Sequence, residues 1–201
     1  MRRAIQHLFA ACLLLVAGAA QGQLTIEITG GGGNQIPIAV LQFAGEGVLP
    51  TSITNIIEAD LLRSGRFRTQ YAGGVNPLPT EPSQVNFSDW KSRNTDAIVI
   101  GGVQRLPDGR FEVRFRLLDV PKQAQLAGVA FTLSAAQVRM TAHRIADLVY
   151  EKLTGERGVF STKIAYVVKQ NDRFELRIAD ADGQGAQVAL ASREPIISPS
   201  W

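Results

Sequence analysis

Apolar and polar positions alternate, cluster and break along this chain in a way that predicts most of its elements. Leu24, Ile26 and Ile28 alternate with Thr25 and Glu27, the period of a half-buried strand. Thr29, Gly30, Gly31, Gly32, Gly33 and Asn34 interrupt that pattern, and Ile36 to Phe43 is then a nearly continuous β-branched and aliphatic run, as in a strand that wants burial. Four consecutive glycines maximise backbone entropy and hold no side chain against a core. Leu24 to Ile28 is therefore expected to hang from the domain on a flexible hinge, able to dock or to pair elsewhere. The plainer alternative makes Leu24 to Ile28 the first strand of the sheet.

Helical spacing appears twice. Pro50-Thr51-Ser52 opens the first helix, which carries Ile53, Ile56, Ile57, Leu61 and Leu62 on one side and stops at Gly65. Ser134-Ala135-Ala136-Gln137 is a capping box before the second, with Val138, Ala142, Ile145, Val149 and Leu153 at helical spacing and a stop at Thr154-Gly155. Between them lie a short strand over Phe67 to Tyr71, a proline-rich connection from Gly73 to Phe87, and a short helix over Ser88 to Arg93, capped by Ser88 and sealed by Trp90. A three-strand meander follows: Ala97 to Gln104, Phe111 to Leu117 after the Pro107-Asp108-Gly109-Arg110 turn, and Gln125 to Leu133. The predicted fold is α+β, a mixed β-sheet with two main helices on one side. It occupies residues 35–158.

The texture changes after Gly158. Thr162 to Lys169, Phe174 to Ala179 and Gln187 to Leu190 read as three short strands joined by Asn171-Asp172-Arg173 and Asp180-Ala181-Asp182-Gly183 turns. Residues 159–201 have the length and strand count of one β-propeller blade. A lone blade cannot bury both of its faces, so the sequence reads as one truncated at the start of a propeller, with this stretch poorly supported.

The first 22 residues alter the bulk numbers. Arg2 and Arg3 precede an apolar run from Leu8 to Gly18 and the small residues Ala19-Ala20-Gln21-Gly22, the layout of a secretory signal peptide cleaved between Gly22 and Gln23. The run is shorter than the roughly 20 apolar residues a bilayer demands, and Phe9 and the apolar residues after Cys12 argue against lipoprotein processing. The whole chain has Lys+Arg 21 against Asp+Glu 18, and Arg2 and Arg3 are the only charges in the leader, so the remainder is nearly neutral at 19 against 18. Nothing in that balance points to nucleic acid or an anionic membrane. Cys12 is the only cysteine and leaves with the leader, which removes disulfides, a thiol nucleophile and cysteine metal sites from the expected product. Export without disulfides fits a bacterial periplasm.

Catalytic patterns are sparse. His143 is the only histidine beyond the leader; it stands mid-helix beside Asp147 at i+4, a spacing able to orient an imidazole, but no Gly-x-Ser-x-Gly elbow accompanies it. A solvated position on the helix surface is expected for it. Asp180-Ala181-Asp182-Gly183 lacks the remaining ligands of a calcium loop and is what a hairpin turn needs. The glycine run leads through Gln35-Ile36-Pro37 into a strand, whereas a phosphate loop opens a helix. Arg105, Arg110, Arg114 and Arg116 form a basic patch, with Phe111 and Phe115 on the opposite face, so no stacking platform for bases is built. No cofactor, no metal and no catalytic residue is expected.

Glu151-Lys152-Leu153-Thr154-Gly155, Lys163 to Val168, Glu175 to Gly183 and the closing Ile197-Ser198-Pro199-Ser200-Trp201 together resemble the TolB family of the bacterial Tol-Pal system. The likeness runs from about Gln23 to Trp201. It implies a periplasmic adaptor that is not an enzyme, serving outer-membrane integrity and constriction during cell division. Family members use a short N-terminal arm to engage the C-terminal domain of the inner-membrane protein TolA, while their propeller holds the lipoprotein Pal. By position the TolA-binding arm is Gln23, Leu24, Thr25, Ile26, Glu27, Ile28, Thr29, Gly30, Gly31, Gly32, Gly33 and Asn34. Family arms often carry Asp and Ser where this one has Gly30 to Gly33, which makes the hinge looser. Pal binding is expected to be weakened or lost with most of the propeller absent. Two other readings stay open: the N-terminal part of a propeller-containing periplasmic hydrolase, and a periplasmic ligand-binding domain.

Overall fold

The continuous apolar run after Gln35 becomes an inner strand covered on both faces. In the computed structural model, which describes residues 35–197, β1 (Ile36–Val40) lies between β2 (Phe67–Thr69) and β3 (Ala97–Arg105) and runs parallel to both. From β3 the sheet continues antiparallel through β4 (Phe111–Asp119) and β5 (Ala124–Leu133), giving the mixed order β2-β1-β3-β4-β5. The predicted leader, the arm and the terminal Ser-Pro-Ser-Trp lie outside the described residues.

Alternation along the strands divides the core into two layers. Ile38, Val40, Val99, Val113, Phe115 and Leu117 face two helices, α1 (Ile53–Arg63) and α3 (Val138–Thr154), which also pack on each other. Ala39, Leu41, Ile98, Ile100 and Leu118 face the other way, under Phe87, Trp90 and the connection carrying Val75 and Val85. Leu117 and Leu118 are buried on different sides, as successive residues of a strand are, and the β4–β5 register shifts between them.

The helix ends follow local chemistry. Ser52 caps α1 by accepting a hydrogen bond from the Asn55 amide. Ile53, Ile57 and Leu61 are fully buried, whereas Leu62 is 48% exposed, because it lies about 100° around the helix from Leu61 and off the apolar stripe. The side chain of Leu62, expected on the buried side, instead faces solvent. α2 (Phe87–Ser92) starts earlier than predicted: the Asn86 side chain takes the Asp89 amide, and the Ser88 hydroxyl merely donates to Asn86. The Ser134–Gln137 box forms with the Gln137 side chain accepting from the Ser134 amide and hydroxyl, and a short 3-10 turn over Ala135–Gln137 leads into α3. Gly155, at φ 77°, ends α3 in the left-handed conformation that glycine adopts without steric cost.

A second sheet follows. β6 (Lys163–Gln170), β7 (Arg173–Asp180) and β8 (Gln187–Ser192) are antiparallel neighbours in chain order. Their turns use Asn171 at φ 53° and Gly183 at φ 82°, as the Asn-Asp and Asp-Gly pairs required. Ile164, Val188 and Leu190 on this sheet remain 39%, 52% and 53% exposed, in line with a blade that covers only part of its apolar surface.

Candidate functional site

The predicted binding arm, Gln23 to Asn34, and the Gly22–Gln23 cleavage point lie outside the described residues. The described residues begin at Gln35, just after that segment. Gln35 donates its side-chain amide to the Gly65 carbonyl at 3.1 Å, and the Ile36 amide reaches the Arg66 carbonyl at 2.9 Å. The chain therefore enters β1 beside the turn that joins α1 to β2.

A dense polar constellation joins the two main helices to the second sheet. His143 on α3 is 1% exposed, and its Nδ1 lies 2.6 Å from Oδ2 of Asp60 on α1. The expectation of a solvated histidine is overturned: α1 packs over this side of α3 and brings a buried carboxylate to the ring. Asp147 does not orient the imidazole either. Its two oxygens accept the Phe160 and Ser161 amides at 2.7 and 3.1 Å, pinning the connection to β6 against α3.

On the far side of His143 stands the Asp180–Gly183 turn. Asp180 and Asp182 each place an oxygen 4.0 Å from Nε2. Arg139, one turn earlier on α3, donates to Asp182 at 2.6 Å and to Asp180 at 3.4 Å, and Lys163 donates to the other Asp180 oxygen. Burial works against the Asp182 carboxylate, but the Gln184 amide and the Arg139 guanidinium together hold its pKa below the usual carboxylate range. Burial also works against the charge on Arg139, yet the hydrogen bond to Asp182 keeps its pKa above the ordinary guanidinium value. His143, Asp180 and Asp182 lie within 4.8 Å of one another, a spacing suited to a cation. Arg139 and Lys163 already pair with the same carboxylates in an ion-pair network.

A second carboxylate is spent inside the fold. Glu46, 7% exposed, accepts from the Ser52 hydroxyl and from the Thr54 amide and hydroxyl at the start of α1. A helix N-terminus attracts anions; here the protein's own side chain fills the place. The adjoining cleft, about 650 Å³, is lined by Gln42, Glu58, Gln70 and Tyr71 as well as Glu46. On the meander, Arg110 pairs with Asp108, Arg114 with Glu112 and Arg116 with Glu81. The basic patch is thus largely neutralised by its neighbours.

The TolB amino-terminal domain family model matches residues 24–126, and the TolB β-propeller domain model matches residues 150–201. The chain belongs to the TolB family. Curated relatives named Tol-Pal system protein TolB include that of Methylobacillus flagellatus, 51% identical over 93% of this chain and 44% of its own length. That of Dechloromonas aromatica is 48% identical over 100% of this chain and 47% of its own length. The chain thus spans about half the length of these TolB relatives. The crystal structure of TolB from Acinetobacter baumannii superposes with a TM-score of 0.72 at 34% identity, covering 83% of this chain and 41% of the other. The amino-terminal match begins at Leu24, so it takes in every predicted arm residue except Gln23, while the propeller match includes β6, β7 and β8. No helix among the described residues is long and apolar enough to cross a membrane.

The residues that sequence reasoning missed, Asp60, Arg139 and Asp182 around His143, left a trace. Asp60 stands three and four residues from Ile57 and Ile56, on the apolar side of its helix. A charge in that register predicts a buried partner.

Proposed function

We propose that this chain acts as a periplasmic adaptor of the Tol-Pal system and not as a catalyst. Its arm, Gln23 to Asn34, binds the C-terminal domain of the inner-membrane protein TolA by adding a strand to a TolA sheet. Its propeller portion, which includes β6 to β8, is directed at the lipoprotein Pal. The role served is outer-membrane integrity and constriction during division.

The observation that carries this reading is the start of the TolB amino-terminal match at Leu24, inside the alternating segment ahead of four glycines. In strand addition, backbone hydrogen bonds give affinity, and Leu24, Ile26 and Ile28 would give specificity as alternate side chains. Release of a docked arm would follow differential binding between its own domain and the partner. Deleting residues 23–33 tests the assignment by calorimetry with the TolA C-terminal domain and with Pal. The expected result is loss of TolA binding with a nearly unchanged melting temperature. TolA affinity that survives the deletion rejects it.

A further inference from the structure

Charge converges on His143 from α1, from α3 and from the second sheet. α1 brings Asp60 to Nδ1 at 2.6 Å, and Arg63 holds the other oxygen of that carboxylate at 2.9 Å. The β7–β8 turn brings Asp180 and Asp182 to 4.0 Å from Nε2, Arg139 reaches both carboxylates from α3, and Lys163 reaches Asp180 from β6. Asp147, one turn along α3, is engaged by the Phe160 and Ser161 amides instead.

The hydrogen-bond inventory of imidazole then constrains the ring. An ionised Asp60 only accepts, so Nδ1 carries a hydrogen, and in a neutral ring Nε2 bears a lone pair. That atom is buried without a hydrogen-bond partner, and it looks toward two carboxylates. A lone pair facing acceptors in a low-dielectric space is repulsive, whereas a second hydrogen on Nε2 places an imidazolium between Asp60 and the turn.

We propose that His143 is a proton-dependent clasp between α1, α3 and the second sheet. With a hydrogen on each ring nitrogen it draws the Asp180–Gly183 turn against α3, and loss of the Nε2 hydrogen to solvent loosens that turn. Because the docked state binds the extra proton, docking weakens as pH rises.

Hydrogen exchange on the full chain tests this between about pH 5.5 and 8.5, across which an imidazole can change charge. After correction for intrinsic exchange rates, protection of the Asp180 and Gly183 amides should fall at least about threefold with rising pH in the parent chain. It should stay level in His143→Gln. Equal pH profiles in the two proteins overturn the proposal. Should His143→Gln fail to fold, Asp182→Asn supplies the reading: protection of the Asp180 and Gly183 amides should depend less on pH in it than in the parent chain, and an equally steep profile overturns the proposal. Zinc or calcium chloride should leave protection unchanged; a rise that depends on His143 would assign the gap to a metal ion and overturn the clasp.

Discussion

His143 and Asp60, 83 residues apart in sequence, meet at 2.6 Å inside the interface between the two main helices. Both side chains are almost wholly buried, at 1% and 2% exposure. Removing one partner of such a pair leaves an uncompensated polar or charged group, which costs about 3–5 kcal/mol. Asp60→Ala should therefore destabilise the chain by about that amount in urea unfolding, and His143→Ala combined with it should cost less than the two singles added together.

Glu46 serves α1 from outside the helix. Glu46→Ala strips the Thr54 amide and hydroxyl of a buried acceptor, although Thr54 Oγ1 still accepts from the Phe43 amide. The expected loss is about 2 kcal/mol by chemical denaturation. Phosphate added to the Glu46→Ala variant should recover part of its melting temperature, since the vacated helix start attracts anions.

The connection to the second sheet depends on close packing at Gly158. A Cβ there would lie 2.5 Å from Asp147 Cα, a backbone atom that cannot swing aside. Gly158→Ala should displace the connection and expose the Phe160 and Ser161 amides that Asp147 holds. Faster hydrogen exchange at those two amides is the measurement, and Asp147→Ala should reproduce it.

Acid should loosen the same region by a separate route. The Asp182 pKa is depressed in the folded chain, so its contribution is present above the unfolded value, near 3.8, and fades as pH falls through the lower folded value. Melting curves should show stability declining below the ordinary carboxylate range. Asp182→Asn should be less stable at neutral pH and show a shallower acid decline.

Much of the architecture could be read from residue order because its causes are local. The aliphatic run from Ile36, the Ser52 cap, the Ser134–Gln137 box and the Asp-Gly turns each act through neighbours a few residues away. The Asn86 cap differs by two residues from the expected Ser88 because both are good caps and residue type alone does not choose between them. The environment of His143 was not legible, since its partners sit on another helix and on a turn after the next strand pair. Periodicity reports which side of a helix is apolar, but not that a second helix will cover the flank of that stripe. The family likeness was legible through the Leu153–Gly183 region, which the propeller match includes.

The second sheet is fastened to α3 at two places, by Arg139 holding the Asp180–Asp182 turn and by Asp147 holding the Phe160 and Ser161 amides. Those two attachment residues are separated by about 12 Å of helix axis. One fastening would act as a swivel, whereas two spaced ones convert a twist applied to the blade into torque on the rod itself. Torsional load reaching β6 to β8 is thereby delivered to the helix pair, and rotation of the blade about its connection is resisted by both anchors together.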